Sequence, residues 1–252
     1  MSLQNKSHKN ELDAGLKEFL ETAQELFLPG VSIDTVLFSF YNDKLKVLLL
    51  RFANSTHFSL PSGFIKKEEN LDDAALRILQ ERTGLKNVYL EQFYTAGSTA
   101  RSSKSVVHEV LKNMAPSLPA NNWLEQRFIS VCYYALVDET KVALTFEPFI
   151  SDFQWVDIKK IPKLLYDHNL IIEKALQRLQ TDLDQKLVGF NLMNETFTMG
   201  ELQKLYEAVY QKKLVRTNFQ RKMLSLNVLH RLEKQYSGKA HKAPYLYSFK
   251  KG

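Results

Sequence analysis

Between Gly63 and Leu85 the chain reads GFIKKEENLDDAALRILQERTGL, and its chemistry-bearing residues fall at fixed intervals: Gly63, five residues, Glu69, seven residues, Arg77, then Glu81 and the pair Gly84-Leu85. Carboxylates held close together on a helix can hold divalent cations, because such cations take hard oxygen ligands. A second group lies near the C-terminus, where Thr217, Asn218, Arg221 and Lys222 are followed by Lys239, His241 and Lys242. Guanidinium, ammonium and amide groups of this kind suit phosphates and base edges. His57, Phe58 and Arg101 stand apart as candidates for a small ligand, with Arg101 and Lys104 in a Ser/Thr-rich stretch able to receive a phosphate. His108-Glu109 is discounted as a metal pair, since adjacent residues on a helix do not face each other.

Around the first group, Leu71 to Arg82 is expected to be an amphipathic helix with Leu71, Ala74, Ala75, Ile78 and Leu79 on one face, ended by Thr83-Gly84. A strand-like Phe58 to Pro61 and a turn at Ser62-Gly63 precede it. The spacing of Gly63, Glu69, Arg77, Glu81, Gly84 and Leu85, led in by Leu60-Pro61-Ser62-Gly63-Phe64, resembles the Nudix box of nucleoside-diphosphate-linked hydrolases. That resemblance implies a Nudix fold, and it implies that three metal-binding carboxylates should stand where this chain has Ile78, Glu81 and Arg82. Isoleucine has no ligand atom, and Arg82 would repel a cation and pair with Glu81. The box therefore reads as degenerate, with no catalytic residue, metal or cofactor expected.

A chain of 252 residues is long enough for two domains, and 44% hydrophobic with 25% charged residues is an ordinary globular composition. A lone cysteine, Cys132, is expected to be a packed core thiol. The polar start with Glu11 and Asp13 is unlike a signal peptide, and no apolar run approaches the roughly 20 residues a membrane span needs, so a cytoplasmic protein with no membrane partner is expected. Charge is uneven. Gln185 to Gly252 holds 13 Lys and Arg against 4 acidic residues, net +9, while the rest of the chain is −3. Such a basic end favours a polyanionic partner, with solubilising charge as the plainer reading.

In chain order, Glu11 to Leu26 is expected to be a helix with an apolar stripe of Leu12, Leu16, Phe19, Leu20, Ala23 and Leu26, covering either the first domain or a sister subunit. Val31 to Ser39 and Lys46 to Leu50 read as strands joined by a hairpin turn at Tyr41 to Lys44. Further strands are expected at Val88 to Tyr94, Phe128 to Val137 and Phe153 to Val156, with Phe128 to Val137 central because it is almost wholly apolar. Thr95 to Asn122 reads as a long loop ending at Pro116 and Pro119. Leu164 to Leu183 is an amphipathic connecting helix, in which Asp167 and His168 are assigned to capping and local packing.

The basic end has its own order. Thr198 and Glu201 form a capping-box signature for a helix carrying Leu202, Leu205, Tyr206 and Val209. Thr217 and Gln220 repeat it for a second helix, Asn218 to Ser225, with Phe219, Met223 and Leu226 toward a core. Val228 to Tyr236 and Pro244 to Phe249 pair as strands of a wing whose tip presents Lys239, His241 and Lys242. A Nudix-like unit followed by this pattern resembles the Nudix-related bacterial transcriptional regulators, whose branches answer to ADP-ribose and related metabolites or, in Bacteroidetes, to L-arabinose.

The expected architecture is α/β plus α+β: a tail and helix over 1–28, a Nudix-like α/β/α sandwich over 29–162, a linking helix and linker over 163–190, and a winged helix-turn-helix domain over 191–252. The resemblance implies a homodimeric regulator that binds duplex operator DNA, with repression the favoured sign and a small-molecule effector read by the degenerate domain. A neutral sugar such as L-arabinose is favoured over ADP-ribose because the diphosphate-metal carboxylates are missing. The alternatives are an active magnesium-dependent hydrolase of a nucleoside diphosphate and a module that binds an acidic protein.

Overall fold

A computed structural model describes residues 2–53, 55–86, 88–101, 108, 110–113, 115, 122–143, 150–185, 192–235 and 243–250. Lys104, Ser105, Glu109, Pro116, Pro119, Lys239, His241 and Lys242 lie outside them. The architecture is an α/β/α sandwich fused to a winged helix-turn-helix.

Helix α1 (Ser2–Leu26) leads into β1 (Phe27–Tyr41), the strand on which the sheet is built. β1 runs parallel to β6 (Ile129–Leu136) along one edge, while its other edge is shared: β4 (Ser62–Lys66) pairs with its first half and β2 (Lys44–Phe52) with its last residues. The β1–β2 hairpin turns at Asn42 and Asp43 with φ of 51° and 59°, the left-handed pair that matches strand twist and that these residue types tolerate. β3 (Phe58–Ser59) and β7 (Ile150–Asp157) both pair with β2, and β5 (Glu91–Ala96) pairs with β6 on the far side. The expected turn at Ser62-Gly63 is instead the start of β4, whose last register pair is Ser62 with Asp34. The sheet therefore forks just after Asp34, and Thr35 N–H closes the fork on the Pro61 carbonyl at 2.9 Å.

Side-chain alternation along β1 sorts the core into two faces. Ile33 and Leu37 lie under helix α2 (Leu71–Thr83) with Ala74, Ala75, Ile78 and Leu79. Val36 and Phe38 face helix α3 (His168–Gln185) with Ile171, Ile172, Ala175 and Leu179. Gly84 ends α2 at φ 68°, its N–H bonded to the Gln80 carbonyl. α1 covers its own domain: Phe19 joins Phe27, Phe64 and Trp123 in one aromatic cluster, and Leu16 and Ala23 are buried while Leu26 is exposed.

α3 begins four residues later than the periodicity suggests. Leu164 is held in a bridge to Phe58, and Tyr166 adopts φ 53°, which interrupts the helical path. Beyond α3 come β8 (Phe197–Thr198), α4 (Met199–Tyr210), α5 (Arg216–Ser225), β9 (Leu229–Lys234) and β10 (Tyr245–Phe249). β10 is the middle strand of the small sheet, between β8 and β9. β8 is too short to leave a sequence pattern. The apolar core is continuous from the α3 face of the large sheet through Leu179 and Leu183 to Leu202, Leu205, Val209 and Phe219. Among the described residues no helix is long and apolar enough to cross a membrane.

Candidate functional site

The box folds as a closed scaffold. Arg77 donates from Nε and Nη2 to the two oxygens of Glu69 at 2.7 and 2.8 Å, from Nη1 to Glu81 at 3.0 Å, and from Nη2 to the Phe64 carbonyl at 2.8 Å. A bidentate guanidinium–carboxylate pair is among the stronger polar contacts, and the Arg77 hydrogen bond holds the Glu69 carboxyl below its ordinary pKa. Glu81 is thus paired with Arg77; Arg82, expected beside it, reaches the Ser62 carbonyl through Nε at 3.2 Å. Ile78 is buried on Gly63: a Cβ added there would lie 2.8 Å from Ile78 Cγ1. A divalent cation does not fit this arrangement, because the positions that would supply three oxygens hold an apolar plug, a guanidinium and one carboxylate already in an ion pair. Among the described residues no group of three His, Cys, Asp or Glu side chains could hold a metal.

A second polar group is buried on the opposite face of the sheet, where it forks. Asp34 is 2% exposed, Arg101 6% and His168 1%. Arg101 Nη2 donates to Asp34 Oδ2 at 2.6 Å, and its Nη1 lies 3.3 Å from Asp167 Oδ1. Leu60 N–H donates to His168 Nδ1 at 2.9 Å, which leaves the ring proton on Nε2, 3.5 Å from Asp34 Oδ1. Burial raises the Asp34 carboxyl, but His168 and Arg101 facing it outweigh burial and hold it far below the carboxylate range. Cys132 sits beside Asp34 in register on β6, and burial pushes its thiol up. The Tyr166 ring stands 5.3 Å from the His168 ring and 6.0 Å from the Arg101 guanidinium.

Of the three ligand candidates read from the sequence, only Arg101 belongs to this group. His57 turns to Ser55, its N–H bonded to Ser55 Oγ at 3.0 Å, and Phe58 packs into the main core beneath Arg51. Asp167 and His168, assigned to capping and packing, are instead part of the buried cluster. Asp34 was missed, although one carboxylate inside the apolar run VSIDTVLFSF is itself an anomaly. His108 meets Glu125 at 2.8 Å, a surface pair.

α3 joins this cluster to the C-terminal unit. Its first residue is His168; further along, Arg178 bridges Asp182 at 2.8 Å and Glu91 on β5 at 2.7 Å, and the Tyr134 hydroxyl donates to Asp182 at 2.6 Å. At its far end the Gln180 amide donates to the Val209 carbonyl at 2.9 Å, and the Tyr206 and Tyr210 hydroxyls donate to the Leu183 and Gln180 carbonyls.

In the C-terminal unit the Thr198–Glu201 capping box opens α4 as expected. The second expected capping box does not form: α5 starts at Arg216 behind Val215, with no side-chain cap, so Thr217 and Gln220 stand inside the helix. The turn between the helices is fixed by α4 itself. Gln203 donates to the Leu214 carbonyl at 2.9 Å while Glu207 accepts from Leu214 N–H at 3.0 Å and from Lys213 at 2.8 Å. Phe219 and Met223 turn inward, but Leu226 is 38% exposed and does not reach the core. Arg216, Thr217, Asn218, Arg221 and Lys222 are all exposed on α5, with Arg221 leaning on the Asn218 amide at 3.4 Å. On the adjoining sheet, Arg231 and Lys234 flank the Tyr245 ring.

Comparison with known proteins agrees with this layout. The model of the NUDIX domain matches residues 32–179, and that of the NrtR DNA-binding winged helix domain matches residues 189–249. The ADPR responsive transcriptional repressor NtrR of Acinetobacter baylyi is 27% identical over 235 residues, covering 88% of this chain and 82% of its own. The crystal structure of Shewanella oneidensis NrtR complexed with a 27mer DNA is similar over 87% of this chain and 93% of its own, with 28% identity and a TM-score of 0.63. A MutT/nudix family protein from Enterococcus faecalis covers 99% of both chains at 20% identity and a TM-score of 0.62, a likeness of fold. Carried by a match that spans more than half its length and coincides with the sandwich and its box, the chain belongs to the NUDIX domain family.

Proposed function

We propose that the chain is a transcriptional repressor that binds duplex operator DNA as a homodimer and uses its Nudix domain to read a small molecule rather than to hydrolyse one. The observation that carries this reading is the joining, through one continuous core, of a winged helix with exposed cations on α5 to a box in which Ile78 fills the ligand position against Gly63. The Acinetobacter baylyi relative is an ADPR responsive repressor and the Shewanella oneidensis relative is complexed with DNA, which supports both halves of the reading. Arg221, Lys222, Asn218 and Thr217 meet the DNA from α5, with Lys239, His241 and Lys242, outside the described residues, as further phosphate candidates by their charge. ADP-ribose is the effector that the relative's name suggests, and L-arabinose is the free-sugar candidate from the family resemblance.

The test is salt-controlled binding to operator-sized duplexes from the native genomic neighbourhood, with and without ADP-ribose and L-arabinose. Sequence-selective binding that one compound weakens is the expected result. Weak binding that ignores sequence and both compounds would reduce the basic domain to nonspecific charge.

A further inference from the structure

We infer that Arg178 is a positioning residue for operator recognition: with Asp182, Glu91 and Tyr134 it latches α3 to the large sheet in a single orientation and so sets where the winged helix stands. The inference rests on the reading that the chain is an operator-binding dimer, and adds which side chains set the geometry of that binding. Arg178 donates from Nη2 to Glu91 Oε1 at 2.7 Å and from Nε to Asp182 Oδ2 at 2.8 Å, and the Tyr134 hydroxyl donates to that same Asp182 oxygen at 2.6 Å. Glu91 on β5 and Tyr134 on β6 are register partners, so the two anchors stand side by side on the sheet. The Tyr89 hydroxyl holds the other Glu91 oxygen at 2.6 Å.

A helix turns by about 100° per residue, so Arg178 and Asp182 share one side of α3 while Gln180 and Leu183 lie nearly opposite. The bonds to the winged helix are made at this second pair: the Gln180 amide donates to the Val209 carbonyl, and the Tyr210 and Tyr206 hydroxyls donate to the Gln180 and Leu183 carbonyls. Residues 178–183 therefore carry both attachments, and a rotation or slide of α3 against the sheet is passed directly to α4. Apolar packing alone does not prevent such a movement. The contacts of Ile172, Ala175 and Leu179 with Val36 and Phe38 are non-directional, whereas a planar guanidinium bonded to two carboxylates fixes an orientation. Asp182 is 1% exposed, and a buried ion pair contributes little net stability after desolvation; its best-attested use is to fix register.

The consequence for DNA is geometric. α4 grips the turn into α5 through Gln203 and Glu207, so α5 takes its direction from α4 and, through it, from the latch. In a dimer the directions of the two α5 helices select the spacing of the half-sites, and each added base pair displaces one half-site by roughly 3.4 Å and 34°.

The test compares binding of the full chain, at one salt concentration, to the operator duplex that the parent selects, to the same duplex with two base pairs inserted between its half-sites, and to a single half-site. Arg178→Met keeps the length of a half-buried side chain and removes its hydrogen bonds; Tyr134→Phe removes one hydroxyl and keeps the packing. Thermal unfolding reports whether each variant is folded, and if Arg178→Met is not, Tyr134→Phe decides. The preference for the selected spacing over the lengthened one is expected to fall about tenfold in Arg178→Met and severalfold in Tyr134→Phe, with single half-site affinity equal to the parent's because α5 is untouched. A preference at the parent's level in the folded variants overturns the latch and leaves the regulator reading intact. Equal losses on all three duplexes overturn it too, since they report damage to the winged helix rather than its placement. A parent without sequence-selective binding overturns the regulator reading, and the latch with it.

Discussion

Glu207 shows how much one side chain can fix. Its carboxylate accepts from Lys213, from Leu214 N–H and from Gln203, and these bonds, the Lys213 one foremost, lower its pKa from 4.5 to about 2. Because the folded pKa is depressed, the stabilisation is complete above the unfolded value of 4.5 and is lost as pH falls toward about 2. Glu207→Gln is expected to cost roughly 1–2 kcal/mol at neutral pH, the value of a charged acceptor to three donors discounted for its exposure to solvent. The difference in Tm from the parent should close as the pH of the melts is lowered through that window. The Gly63–Ile78 contact gives a second residue-level outcome. Gly63→Ala places a methyl 2.8 Å from Ile78 Cγ1, and overpacking of that kind costs about 1–3 kcal/mol. Pairing it with Ile78→Ala, which removes all three obstructing carbons of that side chain, should recover part of the loss in a double-mutant cycle of denaturant midpoints.

At the scale of elements, α4 and α5 divide the work. α4 is fixed at its start by the Thr198–Glu201 box and grips the turn with Gln203 and Glu207, whereas α5 has no side-chain cap and presents its polar face to solvent. Thr198→Ala is therefore expected to lower stability by about 1 kcal/mol, read as a lower Tm. For α5, Arg221→Ala with Lys222→Ala should leave the fold intact and weaken operator binding. If both side chains meet phosphates, the slope of log K against log salt becomes shallower by about 2. Undiminished affinity in the folded double variant would remove these two residues from the interface.

At the scale of the molecule, the sandwich and the winged helix share one core rather than a polar seam. The Lys204–Asp43 pair between them is about half exposed on both sides and is worth little, since exposed ion pairs contribute roughly 0–1 kcal/mol. Leu183 and Leu205 are fully buried in the shared core, and Leu→Ala at such positions costs about 2–5 kcal/mol. Scanning calorimetry should accordingly show one cooperative unfolding transition for the parent, little change for Lys204→Ala, and a separated or broadened transition for Leu183→Ala.

The sequence by itself determined what depends on neighbours along the chain. The Gly63 to Leu85 spacing, the amphipathic face of α2, the Thr198–Glu201 cap and the inward Phe219 and Met223 were legible because periodicity and local hydrogen bonds are written within a few residues. The absence of a carboxylate at Ile78 was legible for the same reason. Tertiary structure alone decided where Arg101 goes. Asp34 lies 67 positions before it, and the fork of the sheet and the start of α3 bring them together with His168. It also made Ser62-Gly63 a strand, because β1 offers an open edge there, and it gave Glu81 to Arg77 rather than to Arg82. Such long-range choices follow from which surfaces meet when the core closes, and no stretch of chain carries that information locally.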